Sequence, residues 1–341
     1  MYRKIRAKIK EFERKIGKLI LDKSKKENNI KFESIKKILF IRYDGKIGDY
    51  MVSSFVYREI KKQRPDIQID VVGISKNESL FLKNKNVDNF FRLKKTKYRY
   101  LSPLGKKLKA SNYDVLIDPT EVLKNKDLFF IRKINAKINY GYAKENYKIF
   151  NRNIEQNSDH MQVVYKKILE SLGFRNIEIS YDIPEDEDSD RKVTEYLKKH
   201  NVKGLIAVNL FGAGKTRKFN QEKSLELLKK LGESYPEYRM ILLDSPRDRE
   251  ELNKVIEAAD GILYYDKSET IFDSIAIIKK SEIVISPDTS IVHIGVGLNK
   301  KVTAFYSRNK ENFDKWGIDE KNKVIRYDKD INEIDFNKEN I

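Results

Sequence analysis

Residues 37–49 read KILFIRYDGKIGD, and the fold is decided here. Lys37–Arg42 is a short apolar run of strand length, and the glycines that follow let the chain turn tightly into a helix expected from about Asp49 to Gln63. Working outward, the same alternation recurs. Further strands are expected at Ile67–Gly73, Asn86–Leu93, Tyr113–Asp118 and Ala136–Tyr140. After the acidic run Pro184–Asp190 (PEDEDSD), read as an inter-domain linker followed by a helix, the pattern restarts. Its strands are expected at Leu205–Asn209, Arg239–Leu243, Gly261–Tyr264, Glu282–Ser286 and Lys301–Tyr306. Strands separated by helices make a parallel sheet covered on both faces. At 341 residues the chain is too long for one ordinary core, and two lobes of roughly 150 residues each are expected. The expected organisation is an N-terminal segment 1–34, a first α/β domain 35–185 and a second 186–341. Open sheets of this kind bind ligands at the carboxyl ends of their strands, so the site is expected in the cleft between the lobes.

Composition narrows the chemistry. There are no cysteines, which excludes a disulfide framework and any thiolate nucleophile or metal site. The three histidines, His160, His200 and His293, are far apart in sequence and offer little for a histidine metal cluster. No run approaches the roughly 18 apolar residues needed to cross a bilayer, and the N-terminus lacks a signal-peptide core, so a cytoplasmic protein is expected. A net charge of +18 and a pI near 9.5 point to an anionic partner: a phosphorylated substrate, a lipid surface or nucleic acid. The 19 tyrosines are not interleaved with basic residues in a recognisable RNA-binding pattern, which argues against a specific nucleic-acid partner.

Residues 1–34 carry 12 Lys or Arg against 5 Asp or Glu, a net of +7. Ile5, Ile9, Phe12, Ile16, Leu19 and Ile20 recur at three- and four-residue spacing, the mark of a basic amphipathic helix. Such a helix can lie on an anionic leaflet through residues 1–30, or pack its stripe on the protein's own surface.

Three constellations could carry chemistry. In the first, Arg42, Asp44, Gly45, Lys46 and Gly48 lead into Asp49 between the first strand and its helix. A carboxylate there can act as a base, or simply cap the helix. In the second, Asn209–Asn220 (NLFGAGKTRKFN) follows the first strand of the second lobe. Gly212 and Gly214 expose backbone amides there, and Lys215, Arg217 and Lys218 add the positive charge that holds a diphosphate, although a solvated basic loop has the same composition. In the third, Val284–His293 (VISPDTSIVH) is a strand running into Asp288, Thr289 and Ser290 at a helix start, with His293 three residues on. Hydroxyls, a carboxylate and helix N-terminal amides suit the polar end of a phosphorylated sugar, and a plain capping motif is the alternative.

In this order and spacing, over about residues 36–326, the three elements resemble glycosyltransferase family 9, which includes the lipopolysaccharide heptosyltransferases. The late Asp288, Thr289, Ser290 and His293 are the most specific match. Arg217 stands where the family has lysine, Phe219 where it has tryptophan, and Ser290 where it has glycine. The resemblance implies a GT-B fold of two doubly wound, Rossmann-like lobes facing a central cleft. It implies an inverting transfer of heptose from ADP-heptose to a lipid-linked or lipopolysaccharide core acceptor, with Asp49 as general base. Gly212, Lys215, Thr216, Arg217, Lys218, Asp248, Asp288, Thr289, Ser290 and His293 would hold the donor, Asp248 being placed near its ribose. The loop from Arg42 to Gly48 would face the acceptor. No metal or other cofactor is expected beyond the nucleotide-sugar substrate, and a monomer is expected. A GT-B transferase using another nucleotide sugar, or a homologue that binds donor without transferring it, are the alternatives.

Overall fold

The computed structural model describes residues 12, 14–25, 30–157, 159–319 and 321–338. The chain divides into two compact units, Met1–Ile179 and Ser180–Ile341. In the first, β1 (Lys37–Arg42), β2 (Gln68–Gly73), β3 (Asn89–Arg92), β4 (Val115–Asp118), β5 (Ile138–Tyr142) and β6 (Arg152–Ile154) form one sheet. Its order is β3-β2-β1-β4-β5-β6, with every neighbouring pair parallel. In the second, β7 (Leu205–Val208), β8 (Arg239–Leu242), β9 (Leu263–Tyr264), β10 (Ile283–Pro287), β11 (Lys301–Ser307) and β12 (Lys323–Tyr327) repeat the arrangement. That sheet is ordered β12-β11-β10-β7-β8-β9, again wholly parallel.

Burial explains why these runs are strands. Ile38, Leu39, Phe40 and Ile41 of β1 are all no more than 1% exposed, so both faces of the strand are covered. A continuous apolar run, rather than an alternating one, is what a central parallel strand requires. In each sheet the strand order reverses beside the first strand, at β1/β4 and at β7/β10. At such a reversal the loops after the two strands diverge and leave a crevice for a ligand.

Several expectations are corrected. The division falls between Ile179 and Ser180 rather than between 185 and 186. The acidic run belongs to the second unit, because Glu187–Lys199 is a helix capped by Asp186, whose side chain accepts from Ser189 N at 3.2 Å. Its first turn holds Glu187, Asp188 and Asp190, where negative charge complements the helix dipole. β6 and β12 were not expected; both are outermost in their sheets, and polar residues break up their short patterns. The helix after β1 starts at Ile47, two residues before Asp49, and is split at Ser54 into Ile47–Ser53 and Phe55–Gln63. Ser53 Oγ donates to Asp49 O (2.9 Å) and Ser54 Oγ to Met51 O (2.7 Å), the back-bonding that bends helices.

Of the expected N-terminal helix, residues 1–11 and 13, with Ile5 and Ile9, lie outside the described residues. Residues 14–21 are helical. Among the described residues no helix is long and apolar enough to cross a membrane.

Candidate active site

In the first unit the site is built at the carboxyl end of β1. Arg42, the last residue of that strand, is 1% exposed, which demands partners for its charge. Its Nε donates to Asp44 Oδ2 at 3.0 Å and its Nη1 to Ser53 Oγ. The guanidinium therefore ties the loop to the helix that carries Asp49. Gly45 adopts φ +61°, a conformation that favours glycine, and a Cβ there would also press on the end of Ile74, 2.6 Å from its Cδ1. Asp44 Oδ1 accepts from Lys46 N at 3.2 Å, closing the turn before the helix.

Lys46, not Asp49, occupies the cap position. This removes the capping role as the reason for Asp49, which sits with Gly48 inside the first turn. The Asp49 side chain is 20% exposed and pairs with Lys46 Nζ at 3.7 Å. Burial pushes its carboxyl above the ordinary value and the neighbouring Asp44 adds to this, while Lys46 and Arg42 pull it down. A carboxylate so placed has raised proton affinity and remains reachable, which is what a general base needs.

The loop side of β4, next to β1, holds residues that the sequence did not single out. Asp118 is buried and accepts from Thr120 N at 2.9 Å. Lys144, 1% exposed, donates to Tyr142 O at 2.7 Å and to Thr120 O. Burial lowers its pKa, and Asp118 opposes that effect. The only sequence signal was an aspartate ending an apolar run.

In the second unit, Asn209 links the loops after β7 and β10. Its Nδ2 donates to Ser286 Oγ (2.9 Å) and Thr289 Oγ1 (3.2 Å), and its Oδ1 accepts from Phe211 N (3.3 Å). Thr289 caps the helix Ser290–Gly297 by accepting from Ile291 N at 3.2 Å. The β7 loop doubles back on itself: Gly212 N donates to Arg217 O (2.8 Å), Phe219 N to Leu210 O (3.1 Å), and Phe211 and Lys218 form an antiparallel bridge. A Cβ on Gly212 would meet Arg217 O at 2.7 Å, so the close return excludes any side chain there. Phe219 anchors the loop in the core, edge-to-face with Phe305 at 5.2 Å.

That hairpin brings Arg217 to Asp288 (Nη1 to Oδ2, 2.8 Å), joining the two loops beside the strand-order reversal. Asn312 Nδ2 also donates to Asp288 Oδ2, at 3.2 Å. Burial raises the Asp288 pKa, offset by Arg217 and then Asn312. Lys218 Nζ pairs with Asp248, which is 7% exposed and also accepts from Ser245 Oγ at 3.0 Å. Lys215 and Thr216 are exposed on the short turn Lys215–Arg217. Ser290 is half-buried at the helix start. His293 is buried, its Nδ1 3.3 Å from Tyr181 Oη and the two rings edge-to-face. The loops after β7 and β10 therefore bring together Gly212, Arg217, Asp288 and Thr289, while Lys218 and Asp248 form a second ion pair. Asn209 opens the second constellation but takes no role from the sequence, and Ser286 and Asn312 are not singled out there, because each acts by holding another residue, which no spacing pattern reveals. Among the described residues no group of three or more His, Asp or Glu comes together to hold a metal.

Two doubly wound parallel units, the second with cations and hydroxyls at its strand-order reversal, are the architecture of the GT-B fold. The profile of glycosyltransferase family 9 (heptosyltransferase) matches residues 101–341, and the chain belongs to that family. It is 25% identical over 281 residues to an Escherichia coli K12 protein provisionally named lipopolysaccharide heptosyltransferase 4, covering 81% of this chain and 76% of that one. A family 9 glycosyl transferase from Veillonella parvula superposes with a TM-score of 0.73 at 18% identity, covering 86% of both chains. The E. coli ADP-heptose lps heptosyltransferase II superposes with a TM-score of 0.68 at 18% identity, covering 85% of this chain and 90% of that one.

Proposed function

We propose that this glycosyltransferase moves heptose from ADP-heptose to a hydroxyl of a lipid-linked or lipopolysaccharide core acceptor, inverting the anomeric centre. The acceptor oxygen forms a bond to the anomeric carbon as the bond from that carbon to the diphosphate breaks. The departing electron pair stays on ADP, and the acceptor's proton passes to Asp49. The half-buried Asp49 in the first unit, its carboxyl raised by burial yet still reachable, carries this reading, supported by the bridged loops of the second.

Arg217 and Lys218 stabilise charge as it develops on the leaving diphosphate, where fixed donors contribute most. Both are partly exposed, at 30% and 36% of the side chain, so a diphosphate can compete with their carboxylate partners. Gly212, Lys215, Thr216 and the helix start at Thr289 and Ser290 supply further donors, and Asp288 orients sugar hydroxyls. Asp248 meets the ribose, and His293 supports the site through Tyr181. The loop from Arg42 to Gly48 receives the acceptor. The cations do the electrostatic work that a metal does elsewhere, so activity is expected to survive chelation. The protein is proposed to act as a cytoplasmic monomer on the inner face of the membrane, where a lipid-linked acceptor is held.

A second reading, transfer from a different nucleotide sugar, is favoured by the arginine at 217 and the serine at 290. Thermal melts with ADP-heptose, ADP and a set of UDP-sugars separate the two. A ligand at 100 times its Kd stabilises the folded state by about 2.7 kcal/mol. The proposal expects ADP-heptose and ADP to raise the Tm and UDP-sugars to leave it unchanged; the reverse pattern overturns the donor assignment.

A further inference from the structure

We infer that the helical residues 12 and 14–21 are a fixed interfacial anchor that presents its apolar stripe to an anionic lipid surface. Phe12, Ile16, Leu19 and Ile20 are 66%, 41%, 76% and 59% exposed. At 3.6 residues per turn these four lie within an arc of roughly 100°. Ordinarily such a stripe turns inward, and here the opposite face does so.

The inward face is built from Arg14, Gly17, Lys18 and Leu21, whose arc is centred roughly 160° from the stripe. Arg14 Nη2 donates to Leu123 O at 3.1 Å. Gly17 lies so close to Asn125 that a Cβ would come within 1.9 Å of its Nδ2. Lys18 Nζ sits 4.2 Å over the Tyr147 ring, and Leu21 packs on the first unit's core. Beyond these, Arg132 Nη1 donates to Ile20 O (2.8 Å) and Asp22 Oδ1 accepts from Ile149 N (2.8 Å). Rolling the helix to bury its stripe would break all of these contacts, so the apolar face is held outward by its polar and small residues.

Charge selects the occupant. Residues 1–34 carry a net +7, and the whole chain +18. An apolar stripe on a strongly basic segment binds anionic headgroups and inserts shallowly, whereas a second copy of the same segment would bring like charges together. This deepens the membrane part of the proposed function and rests on it only for its purpose.

The test is sedimentation of the full chain with vesicles of phosphatidylglycerol and phosphatidylethanolamine, against phosphatidylcholine alone, at low salt. The partition coefficient on the anionic vesicles is expected to fall by about tenfold or more in the double variant Leu19→Glu, Ile20→Glu, with the Tm unchanged. A Leu19→Trp variant is expected to show a blue-shifted emission only with anionic vesicles. Undiminished binding by the double variant overturns the inference. So does a lipid-free dimer of the parent chain, seen by light scattering, that the double variant dissolves. Turnover is not read, so failure of the glycosyl-transfer reading and failure of the anchor are separate results.

Discussion

Asp49 draws its chemistry from three neighbours at once. Burial and Asp44 raise its proton affinity, and Lys46 and Arg42 lower it. A base works deprotonated, so turnover falls as pH drops through its pKa, and the acid limb of a kcat/KM profile reports that value. Removing the positive charge with Lys46→Ala is expected to move the acid limb to higher pH. Asp44→Asn removes the negative neighbour and is expected to move it lower. Shifts in the opposite directions, or none in either variant, would detach the limb from Asp49. The same perturbation has a stability consequence. A carboxyl that holds its proton more tightly folded than unfolded stabilises the fold below the unfolded value of about 4 and loses that contribution as pH rises through the folded one. Above both values the Asp49 carboxylate is therefore a cost to the fold.

At the scale of elements, the loops after β7 and β10 are joined by the Arg217–Asp288 pair and by the buried amide of Asn209. Asn209→Ala removes two donated bonds and leaves Phe211 N without its acceptor. The expected cost is about 1–3 kcal/mol in a denaturant melt, with weaker donor binding besides. Unchanged stability would show that the two loops are held apart from Asn209. The elements also show what the sequence made legible. β1 was read to the residue because a buried central strand is an unbroken apolar run between turns. β6 and β12 were not, since an outer strand is half-covered and its pattern dissolves into polar residues. The Asp288-Thr289-Ser290 turn was legible because capping chemistry is local. Its tie to Arg217 rests on a hairpin whose closure depends on Gly212 and on Phe219 in the core, and neither spacing nor charge specifies that contact. Asp49 looked like a cap because aspartate so often is one; the turn at Gly45 closes early enough to hand that position to Lys46.

Across the whole molecule, two similarly built units repeat one plan. Each has its own parallel sheet, its own strand-order reversal and carboxyls raised by burial, Asp49 among those of the first and Asp288 in the second. In the proposed reaction the first takes the acceptor's proton and the second holds the donor's diphosphate. Substituting in one unit should therefore change one parameter and spare the other. Side-by-side measurement of donor Kd and turnover for Asp49→Asn tests this most directly. The donor Kd is expected to stay close to that of the parent chain and turnover to fall by about 100- to 10,000-fold; near-normal turnover in that variant would contradict the role of Asp49 as base.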